Sequence, residues 1–492
     1  MAHGIPVWFF QLWLPALAVA LLSGSPLMAD DSLRRVQERG TLRWGADVQG
    51  GEPYAFQDPR NADRVIGFEV EIAAALARHL GVRAELVQND WSTLIASLER
   101  GDFDVALNGI EITAARRERL AFTRPYYRFS ETLVVRRADA PQVHGLEDLP
   151  GRRVGTLASS LAHEILRDHG DVEVVLYEGV EEPFIDLEHG RTAAVLLDHI
   201  IAERYGLVRP TLAQAAVAGD GVYAVALRRE DSALRAALDD ALDAMRRDGE
   251  LRVILERWRL WNDQQEQPFT LPESRAIPLG MSAAQIVLFL RGAAMTLLIS
   301  ALAMILAVSG GLTLALARQY AGASAQAAAR AYVELFRGTP VLLQLYVLYY
   351  GLAPVLALDA FTAAVLGLGL NYAAYEAELY RAGFGAVPHG QTEAALALGM
   401  SRRLAVRRIV LPQALRVALP GITNDFIALL KDSSLVSVIT VVELTKQMTI
   451  TAVDVRGWLL PGALCAGLYL AMSLPLSRLA RRLERRLLPG SV

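Results

Sequence analysis

Several polar side chains stand where chemistry would need them to be held. Arg116 closes the run Thr113-Ala114-Ala115-Arg116, just past a stretch that ends like a strand. A guanidinium is a planar donor fork that matches a carboxylate; the alternative is a solvated surface arginine, the reading given to its neighbour Arg117. Asp198 ends the apolar run AAVLLD. It could receive a cation or cap the following helix, and the residues alone leave these even. Ser159 and Ser160 open SLAHEIL. Backbone N–H groups at a helix start favour an anion, and a plain N-cap role is compatible with that. Gly109 and Glu111 lie in the loop NGIEIT, where the Gly109 carbonyl could accept from an ammonium. Tyr54 and Trp91 are flat apolar walls, and a cation over either ring would add roughly 0.5–2 kcal/mol. Trp91 reads equally well as core.

A second set lies in or beside apolar runs: Glu376, Glu378, Asp425, Lys431 and Asp432. Ionisable groups at membrane depth are costly and usually face a polar pathway or a partner. Glu378 and Lys431 read as structural. Glu376 stays open between contact with a passing solute and pairing with an arginine such as Arg381. Residues 393–412, EAALALGMSRRLAVRRIVLP, are polar between two apolar regions and carry Arg402, Arg403, Arg407 and Arg408. They read as a short helix, a break at 399–401, and a second basic helix closed by Pro412. On the residues alone this could be a surface helix-turn-helix with a solvated arginine face.

Several classes are excluded. No G-x-x-x-x-G-K-[ST] occurs, so the chain has no phosphate-binding loop of its own. His163, His169, His189 and His199 form no metal-ligand spacing, and no Ser-His-Asp set has motif context. The chain therefore reads as a non-enzyme with no cofactor. Net charge is −4, which argues against a nucleic-acid partner. Cys465 is the single cysteine, so no intrachain disulfide can form.

The elements that must position these residues follow from the hydropathy pattern. The chain has 492 residues, 53% of them hydrophobic, and a mean hydropathy of +0.28. Charges crowd residues 30–275, whereas 283–480 hold long apolar runs. Residues 1–29 read as a signal peptide or signal anchor. Residues 41–135 alternate strand and helix patterns: strands at 41–46, 82–87 and 103–107, helices at 67–80 and 91–100. Such alternation implies an α/β fold with parallel strands. Residues 263–282, rich in proline and polar groups, read as a linker. Apolar runs at 283–317, 341–358, 360–375, about 418–442 and 458–476 give five spans. Arginines follow the first span (Arg318, Arg330, Arg337), the third (the 402–408 set) and the fifth (Arg478, Arg481, Arg482, Arg485, Arg486). The positive-inside rule puts these three sites in the cytoplasm and leaves the first half outside.

Two resemblances add to this reading. Glu393-Ala394-Ala395, Gly399, Ile409 and Leu411-Pro412 at their spacing resemble the EAA loop of ABC importer permeases, which docks on an ATPase subunit. ARAYVELFRGTPVLLQLYVLYYG and TNDFIALLKDSSLVSVI resemble polar amino-acid importer permeases. In the first half, GFEVEIAAALARHLGV, DWSTLIASLERGDFDVALNGIEIT and GRRVGTLASS resemble periplasmic amino-acid-binding proteins. The resemblance implies a two-lobed α/β clamshell at 30–262, followed by an all-α five-helix permease domain at 283–492 with its coupling loop at 390–415. It implies an inner-membrane, multi-pass importer subunit for a polar amino acid, working as a homodimer with a separate ABC-type ATPase. An amino-acid-gated channel or a chemosensory receptor are the alternatives.

The resemblance also assigns roles. Arg116 forks onto the substrate carboxylate, and the helix start at Ser159-Ser160 serves the same group. Asp198 receives the α-amino group, Tyr54 stacks, and Asp47 stands near a cationic side chain. Two departures leave the preferred side chain open: Gly50-Gly51-Glu52 replaces a second aromatic, and Glu111 stands where a small hydroxyl residue is common.

Overall fold

The computed structural model describes residues 30–48, 51–267, 281–356, 358–455 and 457–487. The signal segment, most of the linker and Gly50 lie outside the described residues. The chain forms two compact units. One takes it up to Phe129 and again from Gly221 to 267. The other takes Ser130–Asp220 together with the chain from 281 onward.

The first unit holds a five-stranded sheet in the order Arg83–Gln88, Thr41–Ala46, Val105–Ala106, Ala226–Arg228, Leu120–Phe122. The first two pairings are parallel, as the βαβ alternation implies, and the last two are antiparallel. The expected strand at 103–107 is shorter, because Phe103 turns its ring into the sheet against Gly45. A Cβ on Gly45 would lie 2.4 Å from that ring. The helix expected at 67–80 runs Phe68–His79. Gly67 before it has φ +148, and a Cβ there would meet the Tyr54 carbonyl. Only glycine lets the helix start so close to that backbone.

In the second unit Ser130–Asp220 carries a sheet in the order Leu212–Tyr223, Tyr127–Arg136, Ala194–Asp198, Arg153–Leu157, Glu173–Tyr177. The strands Tyr127–Arg136 and Leu212–Tyr223 are where the chain passes from one unit to the other.

The remainder of the second unit is helical. Ala283–Tyr320 is a 38-residue helix opened by a capping box between Ser282 and Gln285. At 1.5 Å per residue it is about 57 Å long, more than a hydrocarbon core needs. It packs on Ala360–Ala386 through small residues. A Cβ on Gly311 would lie 2.4 Å from the Glu376 Cβ, and one on Gly369 2.6 Å from Leu306. Close backbone approach of this kind is how membrane helices gain dispersion contact. Leu345, Tyr349, Ala364 and Leu368 complete the buried cluster, while Leu298 and Ile305 on the same long helix face outward.

The five expected spans reduce to a coarser finding. Among the described residues two helices are long and apolar enough to cross a membrane, Ala283–Tyr320 and Leu459–Leu479. The run at 341–358 is helical only as the short apolar segment Val341–Gly351. The run at 360–375 lies inside a longer helix diluted by Asn371, Glu376 and glycines. The run at 418–442 leaves the α-helix at Asp432 and continues as a 3₁₀ stretch, Ser433–Ile439.

Candidate functional site

In the first unit the loop after Val105–Ala106 gathers six of the residues singled out from the sequence. Thr113 caps the turn Ala114–Arg117 by accepting from the Arg116 N–H at 3.2 Å. This aims the Arg116 side chain back along the loop. Its guanidinium donates to the Glu111 carbonyl at 3.1 Å and forms an ion pair with the Glu111 carboxylate. It also lies 5.3 Å from the centre of the Trp91 ring. Glu111 and Arg116 are both largely buried, so this pair is held in a poorly screened setting. The residue that departs from the family pattern is thus the counter-ion of the arginine.

Asp47 serves the backbone. Its Oδ2 accepts from the Trp91 N–H at 3.0 Å and its own N–H donates to Asn108 Oδ1 at 2.8 Å. Trp91 opens a 3₁₀ turn and packs on the cluster of Leu94, Leu98 and Phe103, so its core reading holds for one face. Tyr54 is buried among Phe68 and Tyr223, and its hydroxyl meets that of Tyr223 at 3.0 Å. Gly109 adopts φ +60, and a Cβ there would lie 2.8 Å from the Tyr54 ring. Its N–H donates at 2.6 Å to Glu69, which also accepts from the Tyr126 hydroxyl.

Glu69 holds this loop and was missed from sequence. The available signal was an acid one residue into the GFEVEI helix.

In the second unit Ser159 has φ +65 and Ser160 is the N-cap of Leu161–His169. Ser160 Oγ accepts from the His163 N–H at 3.1 Å and donates to the Leu157 carbonyl at 2.9 Å. The Ser159 N–H donates to His163 Nδ1 at 3.3 Å, so one helix-start donor is already occupied by that ring. Burial, and then the Arg167 charge, push the His163 imidazole down to about 4, so it is neutral and can accept. Asp198 caps His199–Ile201 by accepting from the Ile201 N–H at 3.0 Å.

In the helical half Glu376 is fully buried and makes no ion pair with another described residue; the Tyr380 hydroxyl lies beside its carboxylate. Arg381 pairs with Glu378 instead, at 2.7 Å, and Arg318 pairs with the other Glu378 oxygen. Asp432 accepts from the Tyr372 hydroxyl at 2.8 Å, and Lys431 is exposed. A cavity of about 530 Å³ is lined by Arg337, Thr339, Tyr372, Tyr375, Asp425 and Asp432. The Arg337-Gly338-Thr339-Pro340 segment, which ends the helix Ala323–Gly338, contributes to its wall.

Residues 393–412 form a folded element. The helix His389–Ala397 ends in a Schellman motif: Met400 N–H donates to the Ala395 carbonyl at 3.1 Å and Gly399 N–H to the Leu396 carbonyl at 2.9 Å. Gly399 has φ +82, which the motif requires. Ser401 then caps Arg402–Ala405. Pro412 was expected from sequence to close this second helix, and it does not. It sits in the first turn of Leu411–Asp432, where a missing N–H costs little. Ala395 and Ala405 are buried between the helices, whereas Glu393, Leu398 and the four arginines are exposed, Leu398 at 80%.

The chain is similar to known proteins in both halves. Residues 42–260 match the model of the bacterial extracellular solute-binding proteins, family 3. Residues 307–489 match that of the binding-protein-dependent transport system inner membrane component. The L-cystine-binding protein TcyJ of Escherichia coli K12 is 33% identical over 256 residues, covering 50% of this chain and 94% of that protein. The glutamine transport system permease protein GlnP of the same organism is 41% identical over 208 residues, covering 41% of this chain and 93% of that one. The octopine transport system permease protein OccM of Rhizobium meliloti is 41% identical over 175 residues, covering 33% and 70%.

Proposed function

This chain belongs to the family 3 extracellular solute-binding proteins through its first half and to the binding-protein-dependent inner-membrane transport components through its second, and on that premise we propose that it is the capture and passage subunit of an ABC importer for an amino acid. The observation that carries this is the joining, in one chain and in that order, of regions that each span more than nine-tenths of a separate transport protein. The solute-binding region would be 30–262, the linker 263–282 and the membrane domain 283–492, with five crossings.

In this reading Arg116 takes the ligand carboxylate together with the helix start at Ser159-Ser160. Asp198 and the Gly109 carbonyl take the ammonium, and Tyr54 and Trp91 flank the stem. Burying either ligand charge unpaired would cost several kcal/mol, so both sets are needed. The Glu393–Pro412 element is the coupling surface for a separate ATPase subunit, because the chain has no P-loop. Exposed Leu398 and Leu396, ringed by arginines, suit a groove that is apolar within and acidic at its rim. A homodimer in the inner membrane, with the first half outside, completes the assembly.

The test is a thermal-shift screen of the full chain in nanodiscs against the proteinogenic amino acids and opines. One or a few ligands should raise the melting temperature by mass action. Arg116→Ala should erase that shift and lower affinity by at least 100-fold, as loss of a charged bidentate contact implies. An unchanged affinity removes Arg116 from the site, and no response to any amino-acid-like solute overturns the substrate class.

A further inference from the structure

The Ser130–Asp220 lobe and the helical half belong to the same compact unit, and the contacts that join them include buried polar groups. Asp186, on the helix Glu182–Glu188, is 1% exposed. Its Oδ2 accepts from the Tyr177 hydroxyl at 2.8 Å within the lobe and from the Tyr349 hydroxyl at 2.8 Å in the helical half. Its Oδ1 accepts from Arg191 at 2.9 Å. Arg191 in turn donates to the Tyr349 carbonyl at 3.0 Å and lies 4.0 Å from the centre of the Tyr349 ring. Tyr349 stands in the π-helical turn Val347–Gly351, the last turn of its segment. Carbonyls in a last turn lack helical donors, and a π turn leaves them further out of register. Arg191 supplies the missing donor from the lobe.

A second contact has the opposite polarity. Lys446, only 3% exposed, places its Nζ 2.5 Å from Glu178 of the lobe. It lies in the first turn of Leu444–Asp454, whose N–H groups at Thr445 and Lys446 are held by the buried Glu443 carboxylate at 2.7 Å. The backbone that carries Lys446 is thus fixed within its own helix start. A buried ammonium or carboxylate deprived of its partner is strongly unfavourable. In the arginine-based topology the second and fourth spans both start in the cytoplasm and run outward; Tyr349 lies in the last helical turn of the second, and Lys446 follows the fourth.

We infer that Asp186, Arg191 and Glu178 form a docking interface that seats the Ser130–Asp220 lobe on the outer face of its own membrane half. Its partner surface is a tyrosine hydroxyl with an uncapped helix-end carbonyl at one point and a buried ammonium at the other. The lobe is then held by contacts as well as by the chain, and it delivers ligand at a fixed position. The interface rests on the outward orientation in the proposed function, but not on the ligand.

The experiment uses the full chain in nanodiscs, with Glu178→Cys and Lys446→Cys and a protease site inserted at 268–280. A short bis-maleimide reaches about as far as these two side chains end to end. After cross-linking and cleavage, the two halves should stay together at the mass of one chain. The parent, with buried Cys465 alone, should give no link. Separate halves overturn the interface, and a band at twice the chain mass overturns its being within one chain. Charge exchange guards against misfolding of the cysteine variant. Glu178→Lys and Lys446→Glu should each lower the melting temperature and cut uptake at least 10-fold with ligand affinity unchanged, and the double exchange should restore both. Failure of that rescue also overturns the interface. Lost ligand affinity with an intact cross-link would instead count against the proposed binding site.

Discussion

The loop from Gly109 to Arg116 and the element from Glu393 to Pro412 carry similar residue types with opposite outcomes. In the first, the charges are turned inward and matched: Arg116 on Glu111, Gly109 on Glu69, Asp47 on the Trp91 N–H. In the second, Glu393 and the four arginines face outward, and no ion pair joins them to other described residues. The difference teaches what each surface waits for. In the proposed function, the inward site exchanges the Glu111 partner of Arg116 for a ligand carboxylate, and its selectivity lies in that exchange. The outward element, rich in one charge and with Leu398 exposed, is the one that the proposed function seats against another protein.

The comparison is most exposed to failure at the Schellman turn. Gly399→Asp should abolish uptake in proteoliposomes containing the ATPase while leaving ligand affinity unchanged. It puts an acid on a basic tip, on the same left-handed backbone that asparagine would take. Gly399→Asn, which tolerates that conformation, should keep most of the uptake. Equal activity of both variants would mean that the turn is not a coupling surface. Glu393→Lys should likewise stop uptake without touching binding.

A smaller effect tests the inward site. Glu111→Gln removes the built-in counter-ion of Arg116 and keeps its shape. Neutral zwitterions should bind about 10-fold tighter by calorimetry, one fewer anion competing for the same fork. Uniformly weaker binding would mean that Glu111 serves only to hold Arg116 in place.

The smallest effect concerns His163. Its folded-state value of about 4 lies below the ordinary 6.5, so the unfolded chain binds the extra proton between these values. Stability is therefore full above pH 6.5 and falls as the pH drops toward 4, by roughly 3 kcal/mol for a shift of this size. Denaturant titrations across that window should lose this slope in His163→Asn. An unchanged slope would leave the Ser159 turn without a neutral acceptor.

Much of this was legible in the chain itself. Helix periods at 67–80 and 91–100 and the strand patterns beside them gave the α/β half, because amphipathic spacing is a local property. The long apolar run from 283 gave the first membrane helix for the same reason. The turn at Gly399 followed from residue type, since glycine is the residue that takes φ +82 most readily. Helix ends inside the membrane half were not legible. Whether the chain leaves its helix at Gly351 or Asp432 depends on packing against neighbouring helices, and hydropathy does not record it. Pro412 was misread because a proline ends one helix or begins the next with equal local logic.

What the sequence alone determined is therefore the order of the parts and the residue types each needs: an α/β half, then a membrane half with a basic turn between its apolar runs. What only tertiary structure decided is which charges meet. Glu111 meets Arg116 over five residues, but Asp186 meets Tyr349 and Glu178 meets Lys446 across separations of 163 and 268 residues. No local pattern marks such pairs, because a buried charge is tolerable only once its partner has been brought to it by the fold.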